Sequence, residues 1–133
     1  MEVEQVIDDQ TKQEYLDASR RGEERLRQEP LANGARYDVG ANLIVIELNR
    51  GYTLSFHPER AQVLANVSPE QLGEIEVSYP GLSIYFPRLD EDMGIDNMLR
   101  GRFGNDRWEA AWAEAHPVQA YVAQAEQSES AAA

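Results

Sequence analysis

The sequence predicts an α+β domain: a small antiparallel sheet of about four to five strands, a meander plus a hairpin, with short helices, a polar N-terminal helix and a C-terminal helix. Three observations lead there. Leu43 to Leu48, Tyr52 to Phe56 and Leu82 to Phe86 are short runs rich in β-branched, aromatic and large apolar residues, bounded by turn-forming Asn-Arg-Gly and Pro-Gly. Polar stretches with helical spacing stand before and after them. The length of 133 residues suits one domain with a modest core.

The first helix is expected over Asp9 to Glu29. Acid-first pairs four apart, Asp8–Lys12, Asp17–Arg21 and Glu23–Arg27, support it by a few tenths of a kcal/mol each. Its apolar residues are few, mainly Tyr15, Leu16, Ala18 and Leu26, so it should dock loosely or await a partner. Pro30 stops it, because the residue before a proline is pushed out of the helical region. Arg36-Tyr37-Asp38-Val39 opens the meander, a turn falls at Gly40 to Asn42, and Leu43 to Leu48 follows. Tyr52, Leu54 and Phe56 then alternate onto one face.

Pro58 to Leu64 reads as one short helix. Ser68-Pro69-Glu70-Gln71 is a helix start: a serine cap, a proline at the first position, and a glutamine placed to close the box. Ile75, Val77 and Tyr79 alternate toward Pro80-Gly81, and Leu82, Ile84 and Phe86 alternate on the return, as in a hairpin. Ile95 to Arg100 forms a short helix closed by Gly101. Asp106, three before Glu109, begins another that carries Trp108, Ala111, Trp112 and Ala115 on one side and ends at His116-Pro117. The organisation is a polar helix over 1–30, an α+β core over 31–104, a C-terminal helix over 105–117 and a flexible acidic, alanine-rich tail over 118–133.

Composition removes several function classes. Without cysteine there is no disulfide framework, zinc-thiolate site or cysteine nucleophile. No apolar run approaches the roughly 20 residues that cross a membrane, and the acidic start Met1-Glu2-Val3-Glu4 is unlike a signal peptide; a cytoplasmic protein is expected. The net charge of −12 is uneven, with nine acids against three bases beyond Leu89. Such a field repels nucleic-acid backbones and anionic lipids and speeds encounter with basic proteins.

The most informative stretch is Pro87-Arg88-Leu89-Asp90-Glu91-Asp92-Met93-Gly94-Ile95-Asp96, where a strand ends at a proline and carboxylates follow in a row. The spacing fails the EF-hand pattern, because counting from Asp90 puts glycine at the fifth position and Gly101 at the twelfth. Neighbouring acids on one turn are poorly placed for paired-carboxylate catalysis. They read as capping and turn acids, or as an acidic turn that meets something basic. His57 and His116 both precede prolines and lie far apart in the chain, as satisfied turn histidines do, and no serine sits in a nucleophile-elbow context. Gly101-Arg102-Phe103-Gly104 matches the G-x-x-G loop of RNA-binding domains in form, but the surrounding charge has the wrong sign. Trp108 and Trp112 share a helix face; packing is their first use, and open ring surface would anchor another chain.

Ala35-Arg36-Tyr37-Asp38, Leu43 to Leu48, Gly51 to Phe56, Leu72 to Val77 and above all Leu89-Asp90-Glu91-Asp92-Met93 through Leu99-Arg100-Gly101 resemble the bacterial family called domain of unknown function 2442, over roughly residues 31–104. The Leu-Asp-Glu-Asp motif after a proline-bearing strand end is the specific part. The resemblance implies a small α+β protein without established activity, and an antitoxin-like role for members encoded beside toxin-like proteins. Some members carry basic or helix-turn-helix DNA-binding segments; here the residues from Val118 onward hold no lysine or arginine. Phe86 stands where members often carry tryptophan.

The expectation is a non-catalytic, acidic interaction module that binds or neutralises a basic protein partner, toxin-like or nucleic-acid-handling. Asp90, Glu91, Asp92 and Asp96 supply its charge, and the polar N-terminal helix together with Trp108 and Trp112 supplies contact area. Two alternatives stand beside it: a nucleic-acid mimic that inhibits a DNA- or RNA-handling enzyme, and a carboxylate-based metal-dependent enzyme with Arg88, Arg100 or His57 converging on the acids. No catalytic residue, metal site, cofactor, direct nucleic-acid contact or membrane contact is expected, and the oligomeric state is left open.

Overall fold

The structure, a computed structural model, describes residues 9–118. It is α+β, with an N-terminal helix α1 (Asp9–Gln28), six strands, a short helix α2 (Ile95–Leu99) and a C-terminal helix α3 (Asp106–Ala115). The strands form two three-stranded antiparallel sheets rather than one sheet of four or five. In the first, β1 (Ala32–Asp38) pairs with β2 (Leu43–Leu48), and β2 with β3 (Thr53–Phe56). In the second, β4 (Glu76–Ser78) pairs with β5 (Ser83–Phe86), and β5 with β6 (Glu91–Gly94).

The inner faces follow the pleat. Ile44, Ile46 and Leu48 from β2, Ile84 and Phe86 from β5, and Met93 from β6 are buried together with Phe56, Leu64, Leu72, Ile95 and Met98. The turn before β2 is built by side chains. Asp38 Oδ1 accepts from the Ala41 N–H at 3.1 Å, and the Tyr37 hydroxyl donates to Asn42 Oδ1 at 2.8 Å. Asn42 itself has φ 55°, a conformation asparagine tolerates well.

The sheets meet where β1 runs past β4 and β5. The Ala32 N–H donates to the Gly81 carbonyl at 2.8 Å, and the Gly81 N–H donates to the Ser78 carbonyl at 2.7 Å. Gly81 has φ +117°, and a Cβ there would stand 2.7 Å from the Ala32 oxygen. Only glycine combines that backbone angle with so close an approach.

Between the sheets, Pro58 to Leu64 is two 3-10 turns, Pro58–Arg60 and Gln62–Leu64, and not one helix. Ala61 divides them: it is extended (φ −93°, ψ 128°) and fully buried, so packing of that residue overrides helical continuity. Pro69–Leu72 forms another 3-10 turn, with Gln71 Oε1 accepting from the Ser68 N–H at 3.3 Å, the closing contact the sequence suggests. Tyr79 does not join Ile75 and Val77 inside. β4 ends at Ser78, and Tyr79 is 98% exposed at the hairpin turn.

Helix α1 has no buried residue and ends one residue earlier than the sequence suggests. Of the expected pairs, Glu23–Arg27 forms at 3.9 Å, whereas Asp17 meets Arg20 (3.7 Å) instead of Arg21; Asp8–Lys12 lies outside the described residues. Its last turn is held to the domain by the Arg50 guanidinium, which donates to the carbonyls of Arg27 (3.1 Å) and Gln28. The helix is loosely docked, as its thin apolar content implies. The expected tail lies outside the described residues apart from Val118. No helix among the described residues is long and apolar enough to cross a membrane.

Candidate protein-interaction site

The carboxylate stretch is divided: Asp90 lies in the turn, Glu91 and Asp92 in strand β6, and Asp96 in the first turn of α2. Phe86 to Leu89 closes the turn, with the Leu89 N–H donating to the Phe86 carbonyl at 3.1 Å, and Asp90 follows in the left-handed region at φ 51°. Glu91 to Gly94 then pairs with β5 in continuous register. Acids are poor strand formers, so propensity alone points away from this outcome. Burial of Met93 against the core, with Ile95 two residues on, outweighs that preference.

Pairing distributes the acids. Tyr85 lies opposite Glu76 on one side and Asp92 on the other, so Glu76, Tyr85 and Asp92 form a row across the outer face of the second sheet. The Tyr85 hydroxyl donates to Asp90 Oδ1 at 2.8 Å, which brings a third carboxylate to the ring. That hydrogen bond raises the Tyr85 phenol above the ordinary tyrosine value; partial desolvation adds to it, followed by the negative charges of Asp90, Asp92 and Glu76. The result is an aromatic ring framed by three acids on an accessible surface.

Glu91 alternates to the side of Met93 and sits opposite Phe86, away from this row. Asp96 lies on α2 and pairs with Arg100 at 3.4 Å. Among the four expected acids, the fold therefore unites Asp90 and Asp92 around Tyr85 and separates Glu91 and Asp96. Among the described residues no three histidine, aspartate or glutamate side chains gather in a way that could hold a metal ion.

A cavity of about 200 Å³ opens beside Asp92, Met93 and Gly94, with Asn97, Met98 and Phe103 also lining it. The cations expected near the acids point elsewhere. Arg88 donates to the Glu70 carbonyl and lies 3.8 Å from Glu74, Arg100 serves Asp96, and His57 Nδ1 donates to the Asn42 carbonyl at 2.7 Å. His116 likewise donates from Nδ1 to the Trp112 carbonyl at 3.0 Å.

Trp108 and Trp112 are remote from the row in role. Helix α3 starts at Asp106, as the sequence suggests, and its cap is Asn105, whose Oδ1 accepts the Trp108 N–H at 2.8 Å. The Trp108 indole donates to the Arg60 carbonyl at 2.9 Å. The Arg60 guanidinium pairs with Glu109 and lies 4.9 Å from the Phe103 ring centre and 5.0 Å from that of Trp112. Trp112 in turn stacks on His116 at 4.1 Å. Burial alone would push the Glu109 carboxyl up. The Arg60 hydrogen bond, the Phe103 N–H, the Arg60 charge and the Gly104 N–H together hold it below the ordinary value. These tryptophans fasten α3 to the body, and Gly104 is the residue that admits Trp108: a Cβ there would lie 2.4 Å from its ring.

The G-x-x-G segment resolves as a helix stop. The Arg102 N–H donates to the Asn97 carbonyl at 2.8 Å and the Gly101 N–H to the Met98 carbonyl at 3.0 Å, with Gly101 at φ +80°, the Schellman pattern. Sequence reasoning missed Glu76 and Tyr85 as site residues. The signal was present in the alternation that places Ile84 and Phe86 inside and hence Tyr85 outside, but the row needs the cross-strand register, which the alternation of a single strand does not fix.

The profile of a family described as "Protein of unknown function (DUF2442)" matches residues 34–104. The chain is similar to a protein of unknown function from Rhodospirillum rubrum, whose crystal structure gives a TM-score of 0.59 at 33% identity over 61% of this chain and 98% of that one. It is also similar to an uncharacterized protein from Chromobacterium violaceum solved by solution NMR, with a TM-score of 0.59 at 36% identity over 71% of this chain and 86% of that one. No curated protein matches the chain. Apart from Ala32 and Asn33 of β1, the two sheets, the β5–β6 hairpin and the Schellman stop at Gly101 lie within the matched segment, and the chain belongs to the DUF2442 family.

Proposed function

We propose that this protein is a non-catalytic, antitoxin-like interaction module that binds a basic protein partner through the outer face of its second sheet. The observation that carries this reading is the Glu76–Tyr85–Asp92 row with Asp90 on the same ring. An arginine or lysine laid over Tyr85 would gain both a ring face and up to three carboxylates, a combination that favours a cation over other ligands. The net charge of −12 adds long-range attraction for a basic partner.

Nucleic-acid mimicry is less well supported, because it needs acids in rows at phosphate-like spacing. Among the described residues, Glu23, Glu29, Asp96, Asp106 and Glu109 are each engaged with an arginine, and Glu91 turns away from Asp92. The test is affinity capture from a lysate of the source organism at low and high salt, with the unaltered protein beside an Asp92→Lys/Glu76→Lys variant. A small basic protein held by the first, lost from the second and released by salt supports the reading. Capture that is indifferent to both changes overturns it.

A further inference from the structure

We propose that the outer edge of β6 is a docking edge for an extended segment of the partner in which basic and apolar residues alternate, added as a further strand beside Asp92 and Gly94. This rests on the acidic-face reading and names its binding mode.

β6 pairs only with β5 among the described strands. The Ile95 N–H donates to the Leu82 carbonyl at 2.9 Å, which fixes the phase of the ladder. Bonded and non-bonded pairs alternate along antiparallel strands, so Met93 and Glu91 also bond toward β5. Asp92 therefore directs its N–H and carbonyl outward, and Gly94 directs its N–H outward. The carbonyl of Gly94, the residue before α2, opens that helix. Three outward backbone groups along one strand are what an incoming strand needs.

No described strand pairs on that edge, and the cavity of about 200 Å³ runs beside Asp92, Met93 and Gly94, lined also by Met98, Phe103 and Arg102. Charge selects the occupant. From Asp90 to Asp96 the chain holds four carboxylates and no base. Charged edges ordinarily prevent pairing between like strands. The two arginines nearby, Arg102 and Arg25, are paired with Asp106 and Glu29, so the acids of the strand itself reject a second copy of this edge and admit a basic strand. The pleat then sets the pattern of the segment: residues on the Tyr85 face meet Asp92, and alternate residues turn toward Met98 and Phe103. A basic residue suits the first set and an apolar residue the second.

The test uses the whole protein and two synthetic probes, a short peptide of alternating arginine and valine and the same peptide with the backbone nitrogen of every arginine methylated. Both carry the same charge, but the second lacks the N–H of every residue on the Asp92 face, which is the N–H an antiparallel strand turns toward Asp92 and Gly94. The expected result is binding of the unmodified peptide at least about tenfold tighter than the N-methylated one, the worth of one or two hydrogen bonds. Amide exchange at Asp92 and Gly94 should slow on binding. Gly94→Pro, at a residue already at φ −76°, should remove the preference by deleting an outward N–H without touching the β5 ladder. Equal binding of both peptides with unprotected Asp92 and Gly94 amides overturns the docking edge and leaves the acidic face standing. No binding of either peptide at low salt overturns both.

Discussion

Tyr85 and Asp90 show how one residue pair turns a charged hairpin into a surface with a defined chemistry. The hydroxyl of Tyr85 is held by Asp90 and surrounded by Asp92 and Glu76, so its proton is harder to remove than that of a free tyrosine. Asp90→Asn removes a negative charge and weakens that hydrogen bond while keeping a side chain that accepts φ 51°. The Tyr85 titration should then move down toward the ordinary value, read as the phenolate absorbance difference between each protein and its Tyr85→Phe counterpart. An unchanged midpoint would mean that Asp90 does not act on the ring. Asp90→Val keeps neither the charge nor the tolerance of left-handed backbone and should lower stability by about 1–2 kcal/mol. Gly81 is the other position where one atom decides. Gly81→Ala places a methyl against the Ala32 backbone and should cost about 2–4 kcal/mol, seen as a lower melting temperature.

At the scale of elements, α3 is fastened by a small set of contacts centred on Arg60. Arg60→Ala leaves the Glu109 carboxylate, 23% exposed, without its cation and removes the ring contacts. A loss of about 1–3 kcal/mol is expected, discounted for partial exposure. Glu109 also makes the docking of α3 pH-dependent. Its folded-state value is depressed, so its contribution is complete above the unfolded carboxylate value and is lost as pH falls through the folded one. The chain has only two tryptophans, both on α3, so their emission reports this helix. Acid should shift the emission before the strand core unfolds, and Arg60→Ala should show the shifted emission at neutral pH. Coincident loss of tryptophan environment and sheet signal at every pH would contradict this.

Much of this level was legible in the sequence. The runs Leu43 to Leu48 and Leu82 to Phe86, the Pro-Gly hairpin and the Gly101 stop each carry a local cause that the fold keeps. What was not legible depended on contacts distant in the chain. β6 is a strand because Met93 is buried, despite its acids, and Ala61 breaks a helical pattern because the core needs it. Trp108 and Trp112 were legible as packing residues of α3, but the partner of Trp108, an arginine 48 residues earlier, was not.

At the scale of the whole molecule, two sheets joined at Ala32 and Gly81 hold a shared core and leave one outer face carrying Glu76, Tyr85, Asp90 and Asp92. Many of the remaining acids are engaged locally, on α1 with its own arginines and on α3 with Arg60 and Arg102. In the proposed function, charge that would attract at long range is thus separated in space from charge that would recognise at contact. Salt weakens both, because the screening length falls to about 3 Å at 1 M ionic strength, but only changes on the outer face should alter which partner is held. The most direct measurement is capture at low salt by the unaltered protein and by Asp92→Lys/Glu76→Lys, with melting temperatures showing that both are folded. Retention of a basic protein by the first and its loss from the second is the expected result. The same protein captured equally by both would contradict a binding surface on this face.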